Sequence, residues 1–449
     1  MRRPDLLATK WGRLTAFFFL YLTEGVPLGF AATAVATQMR RQGVGVAEIG
    51  LFVGSLYGPW AWKWAIGPFV DVLSSDRWGR RRMWIVIAQS MMVLTLMAAL
   101  PVNFATHLKL FILVIVLHNI FGATQDVAID ALAVSVLSEE ERGLANGLMF
   151  GGAYLGQAIG GSGVLFLTPY IGFKPTFFFV AGCILLVTVF VALPLRERKG
   201  ERPPREGPLL AAAVQEIRQF LVDAFSSMFG RLEAFVGLLF AILPAGAYAL
   251  GLALQSNLAV ELGMNDTSIG KLNLWSSVIS AGGCVAGGWL SDRLGRRRML
   301  ALYLFGTALP TFYMATVMKK FNWIMPISPQ ALDRPAVPAG LLTAFWVACL
   351  SYAVFQGLMY GTRTALFMDV TNPAVAATQF TAYMALLNLV IQYSATWQGI
   401  ALERWGYPTT LMIDGTVGLV SVSLLPLMKP RRQRVGPLPP EAIPEAISP

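Results

Sequence analysis

Residues 287–298 read GGWLSDRLGRRR: a small-residue stretch that ends an apolar segment, an Asp-Arg pair, and a Gly followed by three Arg. A related pattern occurs earlier in the chain, as GPFVD at residues 67–71 and GRRR at residues 79–82. Both copies lie between apolar segments that are long enough to cross a bilayer as helices. A repeated Arg cluster between such segments predicts a membrane protein built from two related halves.

The composition also indicates a membrane protein. Of 449 residues, 55% are hydrophobic and 13% are charged, with a mean hydropathy of +0.59, whereas soluble domains carry about 25% charged residues. Twelve apolar segments reach the spanning length of about 18 residues. They lie near 14–38, 47–71, 83–101, 108–131, 143–167, 174–195, 232–258, 267–290, 299–318, 338–365, 376–400 and 407–428. The sequence therefore predicts an all-α membrane protein with twelve transmembrane helices.

Further matches in the same order support two pseudo-symmetric six-helix halves. The matched pairs are Pro27 with Pro244, Gln38 with Gln255, Ile49-Gly50 with Ile269-Gly270, and Gly122…Asp130 with Gly361…Asp369. We expect an N-terminal half at 1–195, a cytoplasmic linker at 196–231, a C-terminal half at 232–428 and a cytoplasmic tail at 429–449. Such a repeat, with a substrate site between the halves, is typical of secondary transporters.

The net charge of +10 follows the predicted topology. Of 35 Lys and Arg, 24 fall on one side of the predicted membrane and nine on the other. This bias places both termini in the cytoplasm. We therefore expect the bilayer, and not a nucleic acid, to be the partner of the basic surface.

Several motifs resemble one family of transporters. The loop G-x-x-x-D-R-x-G-R-R is similar to a loop motif of the major facilitator superfamily. The stretches LYLTEGVPLGF, WKWAIGPFVD, GATQDVAIDAL and AATQFTAYMALLNL resemble the peptide/acetyl-CoA/drug transporter family, which includes AmpG-like muropeptide permeases. The resemblance implies the twelve-helix fold of this superfamily, solute transport, and a place in the bacterial inner membrane.

Charged side chains at the ends of the predicted helices suggest gating contacts. Asp130 and Asp369 end the fourth and tenth helices, and each half carries an Arg-rich loop nearby. We expect latches that join Arg80–Arg82 to Asp130 and Arg296–Arg298 to Asp369. The full predicted latch set is Asp71, Arg80, Arg81, Asp130, Asp292, Arg296, Arg297 and Asp369.

Buried ionisable residues are expensive in a membrane, so they suggest function. Glu24, Asp126 and His118 are the predicted proton-coupling residues. A Glu24–Lys63 pair that merely neutralises two charges is the structural alternative. Asp126 breaks the repeat, because Ala365 stands at its place in the second half.

Other polar and aromatic residues are predicted to bind the substrate. An Arg in a cavity suits a carboxylate or phosphate, so Arg363 is the expected anchor. The predicted substrate-binding set is Lys63, Gln125, Arg363, Tyr21 and Tyr360. Gln125 has an interhelical hydrogen bond as its alternative role, and GGAYLGQAIGG at residues 151–161 is a small-residue ladder suited to close helix packing.

The sequence suggests no enzyme, cofactor or metal site, since it contains no P-loop, two His and no clustered Cys. We expect a monomeric secondary transporter that imports an anionic small molecule, with a muropeptide as the first choice, by alternating access driven by a proton gradient. A siderophore, an acetyl-CoA-like solute or drug export remains an alternative. So does a membrane receptor or assembly factor that does not transport.

Overall fold

The computed structural model describes residues 5–72, 78–137, 139–197, 209–371 and 376–428, and these residues form helices and no strand. The first helices are α1 (Lys10–Arg41), α2 (Val46–Ala61), α3 (Lys63–Val72), α4 (Arg80–Ala99), α5 (Leu108–Val136), α6 (Glu139–Ala158), α7 (Val164–Ile171) and α8 (Thr176–Val187). The remaining helices are α9 (Leu209–Phe229), α10 (Leu232–Ile242), α11 (Ala253–Glu261), α12 (Asp266–Leu294), α13 (Arg296–Lys320), α14 (Ala339–Val370) and α15 (Ala376–Val420). A non-helical Gly406, with a φ of 73°, divides α15 into two helices, as the two spans predicted at 376–400 and 407–428 require.

Six helical stretches of the described chain are long and apolar enough to cross a membrane. They are Lys10–Arg41, Arg80–Ala99, Leu108–Val136, Arg296–Lys320, Ala339–Val370 and Gln379–Leu427. Other predicted spans are interrupted. The segment predicted at 47–71 is divided at Trp62 into α2 and α3, and the segment predicted at 232–258 is divided into α10 and α11. None of these four helices reaches the length of about 18 residues that crosses a bilayer.

Small residues bring α1 and α6 into close contact, as the ladder in the sequence predicts. A Cβ added to Gly156 would lie 2.4 Å from the backbone oxygen of Leu22. A Cβ on Gly25 would lie 2.0 Å from the backbone oxygen of Ala153. Glycine is needed here because the two backbones leave no room for a side chain.

The first helix group, α1–α8, also packs against the second helix group, α10–α15. The helix α2 lies along α15, where a Cβ on Gly50 would lie 2.6 Å from the backbone oxygen of Ala395. The helix α9 contacts both groups, because it packs on α3, α10 and α15. The Trp64 and Phe220 rings stack at 5.6 Å between α3 and α9.

Ion pairs join the two groups at one end of the bundle, which we call the Arg40 end. Arg40 of α1 pairs with Glu261 of α11, and both side chains are buried. Beside them Arg41 Nε donates to Asp266 Oδ1 at 2.7 Å, and Gln38 Nε2 donates to Asp266 Oδ2 at 3.1 Å. These contacts close the Arg40 end across the line between α1 and the start of α12.

Candidate functional site

A cavity of about 270 Å³ lies between α1, α2 and α6 on one side and α12, α14 and α15 on the other. One water molecule needs about 10–15 Å³ of such space, so the cavity has room for an organic solute. Six tyrosines line the cavity: Tyr21, Tyr57, Tyr154, Tyr248, Tyr352 and Tyr360. Its amides are Gln157, Gln255, Asn273, Gln356 and Asn388. Aromatic and polar linings of this kind suit an organic solute with several hydrogen-bonding groups.

Glu24 is the one charged side chain among the described residues that line this cavity. It lies in the middle of α1, and its Oε2 atom is buried with no hydrogen-bond partner in the described residues. The ion pair with Lys63, which the sequence left as the structural alternative, does not form, because Lys63 turns to carboxylates on α5 instead. The cavity therefore contains a carboxylate that no described cation neutralises at contact distance.

Lys63 begins α3 and pairs with two carboxylates of α5. Its Nζ atom lies 2.9 Å from Asp126 Oδ2 and 3.7 Å from Asp130 Oδ2. Tyr21, which lines the cavity, donates its hydroxyl to Asp130 Oδ1 at 2.5 Å. The structure thus connects Lys63, Asp126 and Asp130 to the cavity through Tyr21, although Lys63 is not a lining residue.

This cluster has more negative than positive charge. Asp126, Asp130 and Glu24 interact electrostatically, and Lys63 is the one cation that acts on Glu24 within the group. Three carboxylates and one ammonium leave an excess of two negative charges when all are ionised. In a low-dielectric region like charges oppose one another, so binding a proton would relieve the cluster. The arrangement is suited to taking up and releasing a proton.

Arg363 lies behind the cavity wall and not in it. Its side chain is buried, Nη1 donates to the Tyr248 hydroxyl at 2.9 Å, and the guanidinium lies 5.3 Å from the centre of the Tyr360 ring. Its Nε is buried without a hydrogen-bond partner, and no described carboxylate lies within ion-pair distance. The predicted direct anchor is therefore separated from the cavity by two tyrosines, while its positive charge remains uncompensated by an anion.

Gln125 and His118 also lie away from the cavity. Gln125 Nε2 donates to Thr23 Oγ1 at 3.1 Å, which is the interhelical role that the sequence left as the alternative. His118 Nδ1 lies 2.9 Å from the Met92 carbonyl oxygen and 3.2 Å from Thr95 Oγ1. Both side chains join helices within the first group, so neither meets a solute in this conformation.

In the second group, the Arg-rich loop contacts the end of α14 as expected. Arg296 Nη1 donates to Asp369 Oδ1 at 2.5 Å, and Arg296 Nε donates to Asp292 Oδ1 at 2.9 Å. Arg297 Nη1 donates to the Pro426 carbonyl oxygen at 3.3 Å. A gating role for these contacts remains a prediction.

In the first group, the expected latch between Arg80–Arg82 and Asp130 is not formed in this conformation, because Asp130 faces inward to Tyr21 and Lys63. Arg80 begins α4, and the carboxylate of Glu197 accepts the backbone N–H of Arg81 at 2.9 and 3.1 Å. Acidic groups are favoured at a helix N-terminus, where backbone N–H groups lack partners. The side chain of Asp71, the remaining member of the predicted latch, lies outside the described residues.

Most of the cavity wall was not predicted. Tyr57, Tyr154, Gln255, Asn273 and Asn388 stand singly within apolar segments. Their polar groups were visible in the sequence as interruptions of hydrophobic runs. Nothing in their spacing says that they meet, because they come from different helices of both groups.

The profile of the Major Facilitator Superfamily matches residues 14–395. The chain belongs to the Major Facilitator Superfamily, and it is a multi-pass membrane transporter of this family. The anhydromuropeptide permease of Escherichia coli strain K12 is 24% identical over 418 residues, which cover 92% of this chain and 79% of the permease. The putative transporter AmpG 4 of Rickettsia conorii is 25% identical over 308 residues, covering 67% of this chain and 72% of that protein.

Solved structures share the fold at low sequence identity. The inward open conformation of the xylose transporter XylE from E. coli superposes with a TM-score of 0.68 at 14% identity, covering 95% of this chain and 98% of that one. A POT family transporter in complex with 5-aminolevulinic acid superposes with a TM-score of 0.69 at 10% identity, covering 92% and 95%. The expected superfamily and the resemblance to muropeptide permeases are confirmed.

Proposed function

We propose that this transporter imports an anionic organic solute, with a muropeptide as the leading candidate, and that a proton gradient drives the import. The observation that carries the proposal is the Glu24 carboxylate in the cavity, which no described cation contacts, next to the Lys63–Asp126–Asp130 cluster with its excess of negative charge. A carboxylate that meets both the cavity and a charged network is able to link protonation to the presence of a solute.

The choice of an anionic solute rests on Arg363. A buried guanidinium without a carboxylate partner favours a negative charge nearby. Two tyrosines lie between Arg363 and the cavity. In this proposal a rearrangement of these side chains brings the guanidinium within reach of a bound anion. The muropeptide is chosen because a relative of this chain is named an anhydromuropeptide permease.

The proposed mechanism is alternating access between two six-helix halves, at 1–195 and 232–428, that together provide twelve transmembrane helices. The interrupted spans are then single crossings with a break inside. With both termini and the Arg-rich loops in the cytoplasm of a bacterial inner membrane, the Arg40 end faces outward. The ion pairs that close the Arg40 end support an inward-facing state. In this proposal the chain acts as a monomer and needs neither a cofactor nor a nucleic acid.

Reconstitution into proteoliposomes tests this function. We expect a labelled anhydromuropeptide to accumulate when the lumen is alkaline relative to the outside, and a protonophore to abolish the accumulation. A ferric siderophore, acetyl-CoA and a cationic drug serve as alternative solutes in the same assay. Accumulation of one of these in place of the muropeptide would change the substrate, and no pH-driven movement of any of them would contradict the proposal.

A further inference from the structure

The chain between α10 and α11 is not α-helical, although it lies inside the one span predicted at 232–258. The helix α10 ends at Ile242, Pro244 follows, and Gly246 has a φ of 80°. A single 3₁₀ turn at Ala249–Gly251 precedes α11. Unwound backbone within a membrane is tolerated where protein or a cavity satisfies its polar groups, and such breaks recur at the substrate sites of transporters.

A buried carboxylate satisfies the centre of this unwound segment, residues 243–252. Asp414 of α15 is 3% exposed, and its Oδ2 accepts the backbone N–H groups of Tyr248 and Ala249, both at 2.9 Å. Its Oδ1 accepts the side-chain amide of Gln398 at 2.7 Å. One carboxylate thus holds two consecutive backbone donors that would otherwise be buried without partners.

Other helices bind the neighbouring backbone groups. Thr307 Oγ1 accepts the N–H of Ala247 at 3.1 Å, and the Tyr352 hydroxyl donates to the Ala247 carbonyl oxygen at 2.9 Å. The N–H of Gly246 donates to the carbonyl oxygen of Gly418 at 3.0 Å. The segment is therefore held from α13, α14 and α15, in addition to the hydrogen bond of its own 3₁₀ turn.

The held segment forms part of the cavity wall. Tyr248, Leu250, Gly251 and Leu252 line the cavity, and the Tyr248 hydroxyl accepts the hydrogen bond from Arg363. The position of Tyr248 consequently determines where the uncompensated guanidinium lies relative to a solute.

We infer that Asp414 is a positioning residue for substrate binding: it fixes the unwound segment so that Tyr248 and Arg363 form the part of the site that selects an anion. This inference rests on the proposed transport of an anionic solute. It assigns Asp414 a role through its hydrogen bonds and not through a change of its own protonation. An asparagine preserves an oxygen for the two backbone donors, and the free Oε1 of Gln398 is able to turn toward the new amide.

The first test measures the segment itself, without any solute. In hydrogen–deuterium exchange of the purified chain, we expect Asp414→Ala to speed exchange in residues 243–252 by at least tenfold. Asp414→Asn should recover most of the protection. Thr416→Ala, on an exposed residue of the same turn of α15, is the matched control and should leave this peptide unchanged. Unchanged exchange in Asp414→Ala would overturn the positioning role.

The second test measures exchange of labelled anhydromuropeptide for unlabelled anhydromuropeptide in proteoliposomes. We expect Asp414→Ala to raise the KM about tenfold. Asp414→Asn should raise the KM no more than about twofold. If Asp414→Ala fails to fold, Tyr248→Phe tests the same link, since it removes the acceptor of Arg363 while the backbone bonds remain; its KM should rise several-fold with normal deuterium exchange.

The outcomes separate this inference from the proposed function. An unchanged KM in Asp414→Ala or in Tyr248→Phe would overturn the inference, because the segment would then be no part of the site. Loss of pH-driven uptake in Asp414→Asn, with normal exchange of labelled for unlabelled solute, would also overturn the inference, because the carboxylate would then carry the proton. If the wild-type chain moves none of the solutes, the proposed function fails, and the deuterium exchange still decides whether Asp414 holds the segment.

Discussion

The buried pair at the Arg40 end provides a perturbation of alternating access whose size follows from the structure. Arg40 is 5% exposed and Glu261 is fully buried as side chains. Arg40 also donates to the carbonyl oxygens of Val44 at 3.2 Å and Ile327 at 2.9 Å, while Glu261 Oε2 accepts the N–H of Ile327 at 3.2 Å. The substitution Glu261→Gln keeps the shape and one of the two acceptor oxygens, but leaves the Arg40 charge buried without a counter-ion.

Removing one partner of a buried pair costs about 3–5 kcal/mol. We take about 3 kcal/mol because the new amide still accepts hydrogen bonds. The cost applies only while the Arg40 end is closed, since water reaches Arg40 when that end opens. At about 1.4 kcal/mol per factor of ten, the equilibrium shifts about a hundredfold toward the open state. An open state populated at about 1% would rise to about half of the molecules.

Asp266→Asn is the matched control at the same end. Asp266 is 13% exposed and its partner Arg41 is 31% exposed, and pairs open to solvent contribute about 0.5 kcal/mol. We expect a shift of about twofold for this variant. Both substitutions remove one negative charge, so a difference between them reports burial and not net charge.

Electron–electron double resonance measures the shift through spin labels at Lys174→Cys and Lys320→Cys, in a chain whose native cysteines are replaced. Both positions are exposed and lie in different helix groups. We expect a second, longer distance in Glu261→Gln and nearly the wild-type distribution in Asp266→Asn. Equal distributions in all three chains, or a larger change in Asp266→Asn, would show that the buried Arg40–Glu261 pair does not hold this end closed.

The remaining predictions concern the packing of α6 and the predicted coupling residues. Gly156→Ala should lower the melting temperature in detergent, because overpacking against the α1 backbone costs about 1–3 kcal/mol, whereas Gly147→Ala, with open space around its Cβ position, should not. Lys63→Met should also lower the melting temperature, because it leaves Asp126 buried and unpaired; adding Asp126→Asn should restore most of the loss, and an equally unstable double variant would contradict the pair. His118→Gln should retain pH-driven uptake, since the ring lies outside the cavity, and loss of that uptake with normal solute exchange would return the proton site to His118.

The sequence predicted the class of fold because hydrophobic length and the Arg-rich repeat are strong local signals. Long apolar runs such as Leu108–Val136 and Ala339–Val370 are helices of spanning length in the structure. The breaks were harder to predict. Pro244 and Gly246 were visible, yet Gly and Pro are common within spanning helices, so only the three-dimensional contacts with Asp414 show that this pair ends a helix.

The partners of charged residues could not be predicted from spacing along one helix. Glu24 was the one partner that the sequence offered for Lys63, as the structural alternative, but Lys63 binds Asp126 and Asp130, which lie on α5. The Arg40–Glu261 pair was missed because its members come from different helix groups and each stands near a predicted helix end, where charges are ordinary. Which charged residues pair across helices depends on the rotation of each helix about its axis and on its depth in the membrane. The apolar pattern does not determine either quantity to better than about one helical turn.

The most direct test of proton coupling at the cavity is a comparison of two fluxes in Glu24→Gln. Glu24 is the charged residue that the described cavity wall presents to a solute, and its Oε2 has no described partner, so the amide should fit without disturbing an ion pair. Exchange of labelled for unlabelled anhydromuropeptide needs no net proton movement, whereas accumulation against a gradient does. We predict that Glu24→Gln keeps the exchange and loses accumulation driven by a pH gradient. Wild-type accumulation in Glu24→Gln, under the same gradient and with the same exchange rate, would contradict it.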